Sequence, residues 1–240
     1  MKYFLTVSYD GSKFNGLQKL KNEITVQGEL EKVLTKLDNS FVQVKFAGRT
    51  DKGVHATNQK CHFELKTDLT PYRLRYYINR MTSKYLYVRN CEIINDDYFH
   101  ARFSVKEKEY LYKINTGEYN PILNDYLYNY NKSLDIEKLR EASNHFLGIH
   151  NFKMFTTGNQ IKYDCKINKI EISSDKEIVI IKISGKSFLT YMVRNIISIL
   201  ILYSESQISL EEIDKMLDGK KILEYAKVPA RGLYLNKIEY

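Results

Sequence analysis

Cross-linking chemistry is scarce in this sequence. Its 3 cysteines, Cys61, Cys91 and Cys165, are odd in number and far apart, with no Cys-x-x-Cys spacing. That argues against a disulfide framework, a zinc knuckle or a redox pair, and fits a reducing cytoplasmic setting. The 5 histidines form no His-x-x-His or His-Glu-x-x-His pattern, so although His55 and His62 could be imagined with Asp51 around an ion, no metal site is expected. With only 3 prolines and no low-complexity stretch, the chain is expected to fold throughout. Long apolar runs are missing too. The longest, Phe188 to Tyr203, is interrupted by Arg194 and Asn195 and falls short of the ~20 residues that cross a bilayer, so it reads as a buried core helix. Met1-Lys2-Tyr3-Phe4-Leu5 passes straight into an alternating pattern, and no signal peptide is expected.

Positive charge, by contrast, is in excess. Lys and Arg number 37 against 29 acids, giving a formal charge of +8, which suits a polyanionic partner. The stretch from Lys66 to Cys91 carries Lys66, Arg73, Arg75, Arg80, Lys84 and Arg89 against the lone acid Asp68, interleaved with Tyr72, Tyr76, Tyr77, Tyr85 and Tyr87. Cations among aromatic rings suit RNA, whose phosphates and unstacked bases they can both meet.

Hydrophobic periodicity sets the order of elements. Tyr3, Leu5, Val7 and Tyr9 alternate as in a strand ending at Asp10-Gly11-Ser12. Thr25 caps a helix with apolar Val26, Leu30, Val33, Leu34 and Leu37. Val42, Val44 and Phe46 share a face of a second strand, and Cys61, Phe63 and Leu65 a face of a third. Thr70-Pro71 opens a helix bearing Leu74, Tyr77 and Ile78, before a strand from Tyr85 to Ile94. The second half repeats the order approximately: a strand at Glu109 to Asn115, a helix at Ile136 to Phe146, strands at Lys166 to Ile172 and Ile178 to Ser184, and a helix at Leu189 to Tyr203. A short helix then opens with the capping-box spacing of Ser209 and Glu212, and a strand at Leu233 to Ile238 closes the chain. The expected fold is α+β: two ferredoxin-like, RRM-like β-α-β-β-α-β units, residues 1–104 and 105–240, forming an extended antiparallel sheet with a central cleft. Active sites favour such clefts.

One segment concentrates chemistry. Gly48-Arg49-Thr50-Asp51-Lys52-Gly53-Val54-His55-Ala56 packs two glycines, two cations, a carboxylate and an imidazole into a loop after an apolar strand. Arg49 and Lys52 favour an ionised Asp51 and can bind phosphate as well, and an ionised carboxylate suits a nucleophile. A tight turn with solvated charges is the alternative. Arg194, in an otherwise apolar helix, requires a partner if buried, and Asp51 is the candidate; an exposed position or a structural acid is the alternative.

The residues resemble the bacterial tRNA pseudouridine synthase A family along essentially the whole chain. The likeness is carried by Tyr9-Asp10-Gly11 with Phe14, Gly16 and Gln18, by Thr25-Val26-Gln27, and by the Gly48 to Ala56 loop. It continues through Phe99-His100-Ala101-Arg102-Phe103-Ser104 with Tyr110 and Tyr112, Leu147-Gly148 with His150, Gly185 with Phe188-Leu189, Met192-Val193-Arg194-Asn195, and Pro229-Ala230 with Gly232-Leu233-Tyr234-Leu235. Leu17, Lys108 and Asn151 depart from the family pattern. The resemblance implies Asp51 as nucleophile, Tyr110 packed on the target base, Arg194 as the basic partner of the aspartate, Arg49 helping to displace the nucleotide, and Leu233 in the apolar wall below it. Lys52 and His55 join the substrate-binding set. It implies uridine isomerisation at positions 38, 39 and 40 of the tRNA anticodon stem-loop, with base flipping, by a cytoplasmic homodimer that needs neither metal nor organic cofactor and no membrane. The alternative within the family is the same chemistry on ribosomal RNA or other tRNA positions. A non-catalytic RNA-binding protein would predict decay of Asp51, Tyr110 and Arg194, all of which are present, and a metal-dependent RNA hydrolase would require a ligand cluster.

Overall fold

The alternation at the amino terminus becomes β1 (Lys2–Tyr9) in a computed structural model that describes residues 1–157, 159, 161–220 and 223–240. Tyr3, Leu5, Val7 and Tyr9 are buried, as a period of two on a half-covered strand requires. These residues belong to the first of two compact units, Met1–Lys106 together with Tyr234–Tyr240; the second is Glu107–Leu233. Each is α+β with mostly antiparallel strands.

In the first unit, α1 (Val26–Asp38) starts where Thr25 accepts a hydrogen bond from the Gly28 amide, and ends at Asn39 in the left-handed conformation. It buries Val26, Leu30, Val33 and Leu34, each contributing about 1.5–3 kcal/mol relative to exposure. The strand predicted at Val42–Phe46 shrinks to β2 (Lys45–Phe46). Val42, Val44 and Phe46 are buried in alternation as expected, but the backbone before β2 is satisfied by α1 instead of a ladder. Thr35 Oγ1 accepts from Val42 N, Glu31 Oε1 accepts from Val44 N, and Gln27 Nε2 donates to Val44 O. Next come β3 (His55–Glu64), α2 (Pro71–Met81), capped by Thr70 and burying Leu74 and Ile78, and β4 (Leu86–Ile93). β1 pairs antiparallel with β3 on one side and β4 on the other, and β2 pairs antiparallel with β3.

The second unit opens with β5 (Glu107–Asn115) and the short β6 (Tyr128–Asn129), which pair in parallel. α3 (Ile136–Asn144), β7 (Gly148–Asn151), β8 (Asp164–Asp175), β9 (Ile178–Gly185), α4 (Met192–Ser204) and α5 (Leu210–Leu217) follow. Its strands are ordered β5-β9-β8-β7, each neighbour antiparallel. The capping box of Ser209 and Glu212 forms as its spacing predicts. The apolar run yields a largely buried helix, but α4 begins at Met192, later than Leu189. Tyr191 adopts a left-handed φ of 64°, a conformation that an α-helix cannot contain.

The last strand, β10 (Leu233–Glu239), departs from the order read in the sequence. It returns to the first unit, where Tyr234 and Leu235 pair in parallel with His55 and Ala56 of β3. No helix among the described residues is long and apolar enough to cross a membrane.

Candidate active site

The loop between β2 and β3 carries Asp51 on a pinned frame. Thr50 is buried and its Oγ1 shares a 2.7 Å hydrogen bond with the Tyr9 hydroxyl. On the other side Gln59 Nε2 donates to Gly48 O at 3.0 Å. Leu17 N donates to Thr50 O, and Val54 N closes a turn onto Asp51 O at 3.1 Å. Both flanks are thus tied to β1 and β3, while Asp51 itself is half-buried between exposed Arg49 and Lys52. A carboxylate held so is accessible to a ligand yet loses little entropy on engaging it, which is the condition for an oriented nucleophile. Burial pushes the Tyr9 phenol up to about 12, against the opposing hydrogen bonds of Thr50 and Gln59, so it remains a neutral partner of Thr50 at physiological pH.

His55 sits beneath this loop. At 3 % exposure its ring stacks on Tyr234 of β10, with centroids 4.6 Å apart and planes at 21°. Its Nδ1 accepts from the Gly11 amide at 3.1 Å and lies 3.3 Å from Asp10 Oδ1. Gly11 has no room for a side chain: a Cβ there would come 2.0 Å from the Val54 carbonyl oxygen. The Asp10-Gly11 turn is therefore pressed against the end of the Asp51 loop, and the imidazole locks the two together.

The remaining expected residues lie in the second unit. Tyr110 is buried on β5 opposite Ile183 of β9, and meets Phe188 edge to face at 5.2 Å and 84°. Tyr112, two positions on and therefore on the same face of β5, is fully buried; burial holds its phenol well above the usual value, with Arg194 acting in the opposite direction. Arg194 is half-buried in the first turn of α4. Its Nε donates to Val228 O at 2.8 Å and its guanidinium lies over the Tyr191 ring at 5.6 Å. No acid occupies that helical turn, and a cation near a helix amino terminus is disfavoured by the macrodipole, by about 0.3–1 kcal/mol. The placement thus carries a local cost. Asn195 Nδ2 donates to the Phe155 carbonyl at 2.7 Å, fixing the helix start from its buried side. Leu233 is buried at the head of β10.

Asp51, Arg49, Lys52 and His55 accordingly fall in the first unit and Tyr110, Arg194 and Leu233 in the second. The supports Tyr9, Thr50 and Asn195 lie within motifs that the sequence displays, but nothing in those motifs assigns them a role, and Gln59 stands in none of them. Among the described residues no group of three or more His, Cys, Asp or Glu side chains is arranged to hold a metal ion.

A family model described as tRNA pseudouridine synthase matches residues 142–240. Across its whole length the chain is 40% identical to the tRNA pseudouridine synthase A of Malacoplasma penetrans, with 100% of both chains covered. It is 36% identical to the protein of that name from Mycoplasma genitalium, covering 100% of this chain and 98% of that one. A tRNA pseudouridine synthase A 2 of Bacillus cereus is 34% identical over 99% of each.

Proposed function

The chain belongs to the tRNA pseudouridine synthase A family and is an enzyme that isomerises uridine in tRNA, and on that premise we propose that its targets are uridines 38, 39 and 40 of the anticodon stem-loop, with Asp51 as the nucleophile. The observation that supports this most directly is the presentation of Asp51, a half-buried carboxylate between exposed Arg49 and Lys52 on a loop tied at both flanks.

In this reading the target nucleotide leaves the stack, at a cost of a few kcal/mol, and Arg49 and Lys52 hold its displaced backbone. Asp51 acts at C1′ as carboxylates do at anomeric carbons. The C1′–N1 bond breaks, the uracil turns, a C1′–C5 bond forms, and the C5 proton is lost while N1 gains one, so the product is an isomer of the substrate. Tyr110 stacks on the base and is the candidate to receive the C5 proton, Arg194 is the cation that keeps Asp51 ionised, and Leu233 supplies apolar wall. His55, with its buried ring, acts through the loop it supports. The enzyme works as a cytoplasmic homodimer in which two ferredoxin-like units divide the labour, the first bearing the nucleophile and the second completing the site.

The test is to incubate the protein and its Asp51→Ala variant with unmodified tRNA and ribosomal RNA transcripts and to map pseudouridine by carbodiimide-blocked primer extension. Signal at the three anticodon-arm positions from the wild type alone supports the proposal. Signal in ribosomal RNA only moves the chemistry to another substrate, and activity retained by Asp51→Ala removes the nucleophile.

A further inference from the structure

Arg231 stands between Ala230 and Gly232 in a 3-10 turn just before Leu233. That turn is fastened within the second unit at several points. Tyr112 OH donates to Pro229 O at 2.8 Å, and Val228 is held twice, its carbonyl by Arg194 Nε at 2.8 Å and its amide by Ser198 Oγ at 2.9 Å. A Cβ on Gly232 would lie 2.7 Å from the Tyr112 ring and 2.9 Å from the Lys113 carbonyl oxygen, so the turn rests directly on β5. Arg231 is thereby placed rigidly, between the residue that anchors Arg194 and the leucine at the head of β10.

Its guanidinium is the anomaly. Nε is enclosed by protein and has no hydrogen-bond partner among the described residues. The phenols within its electrostatic reach, Tyr112 and Tyr128, are both held neutral chiefly by burial. The carboxylate acting on Tyr128, Glu205, already accepts from the Tyr130 hydroxyl and pairs with Lys132 at 3.7 Å. Tyr112 therefore has two guanidiniums near it, Arg194 and Arg231, and no carboxylate is paired with the second among the described residues. A partly desolvated cation without an anion is costly. Arg231 as a whole is only half-buried, so with Nε enclosed it is the terminal end of the guanidinium that a ligand anion would meet, and a phosphate offering two oxygens there would offset much of that cost.

We propose that Arg231 is a phosphate-binding residue, whose guanidinium takes a phosphodiester of the tRNA next to the uridine being isomerised. The assignment rests on the reading of the chain as a tRNA-modifying enzyme. Arg231 makes no contact with reacting atoms; it holds the substrate backbone against the Val228–Leu233 turn.

The experiment compares tRNA binding and turnover of the wild type with Arg231→Met, which keeps the stem packed, and Arg231→Lys, which keeps the charge. Arg231→Met is expected to raise the KM for tRNA about 5- to 20-fold, with kcat within about 2-fold. The slope of log K against log salt should become shallower by about 0.7–0.9, the value of one phosphate contact. Arg231→Lys should recover the slope and only part of the KM. An unchanged slope in a folded Arg231→Met protein overturns the proposal, as does a loss of thermal stability in both variants with KM unchanged, which would make the residue structural. The wild type separates the two readings. If it binds tRNA but forms no pseudouridine, the proposed reaction fails while the salt slopes still decide whether Arg231 meets a phosphate.

Discussion

The Nδ1 of His55 accepts the Gly11 amide hydrogen at 3.1 Å, joining the first turn of the chain to the end of the loop that carries Asp51. Asp10 Oδ1 lies 3.3 Å from the same nitrogen, so the turn meets the ring through a carboxylate as well as through an amide.

Replacing His55 by Ala removes that acceptor and the stacking on Tyr234. An unsatisfied buried donor costs about 1–3 kcal/mol, and each kcal/mol moves the melting temperature of a chain this size by about 2–4 °C. A fall of roughly 5–10 °C in thermal melting is expected, with turnover reduced by the loosened loop. Weakened tRNA binding at an unchanged melting temperature would instead make His55 a direct RNA contact.

Burial of the Tyr9 phenol makes stability fall in alkali. Tyr9 ionises at about 12 in the folded protein but near 10 when unfolded. Between those values the unfolded state has lost a proton that the folded state retains. The stabilisation is full below pH 10 and is lost as pH rises toward 12, by up to about 1.4 kcal/mol per pH unit. Denaturant midpoints measured across this range should drop less steeply for Tyr9→Phe. Identical slopes would show that Tyr9 does not carry the dependence.

His62 acts at the other end of the scale. Its Nδ1 accepts from Ala101 N at 3.1 Å, and burial, followed by the charges of His100, Lys45 and Lys2, holds it down to about 4. From pH 6.5 down to 4 the unfolded chain takes up a proton that the native imidazole refuses, so stability present above 6.5 is lost on acidification. Urea titrations over that interval should show the loss, and His62→Gln should flatten it. A wild type equally stable at pH 4.5 and 7 refutes the assignment.

Arg194→Lys keeps a charge but loses the Nε that holds Val228. A decrease in kcat of about 10- to 100-fold is expected, with KM for tRNA changed far less. Single-turnover kinetics on a tRNA transcript would measure it. A rise in KM alone would make Arg194 a binding residue only.

Elements fixed by nearby residues were legible in advance. β1 and α1 follow from their periods, and the caps at Thr25, Thr70 and Ser209 from local hydrogen bonds. Contacts between distant residues were not. Val42 and Val44 alternate like a strand, yet their backbone groups bond to α1 side chains. The Asp51 loop stood out by composition, but what pins it are pairs 41 and 44 residues apart, Tyr9 with Thr50 and Gly11 with His55. Arg231 gave no signal at all, because an enclosed, unpaired Nε is a property of the folded chain.

The return of β10 to β3 has a consequence for biosynthesis. Residues 1–106 leave the ribosome well before Tyr234 and Leu235, which pair with His55 and Ala56 beside the Asp51 loop. Until Tyr234 and Leu235 have been made, that stretch of β3 lacks its parallel neighbour and His55 its stacking partner. A pairing of such long sequence separation is expected to form late. The nascent chain therefore holds the Asp51 loop in an unfinished state until the residues of β10 emerge and pair.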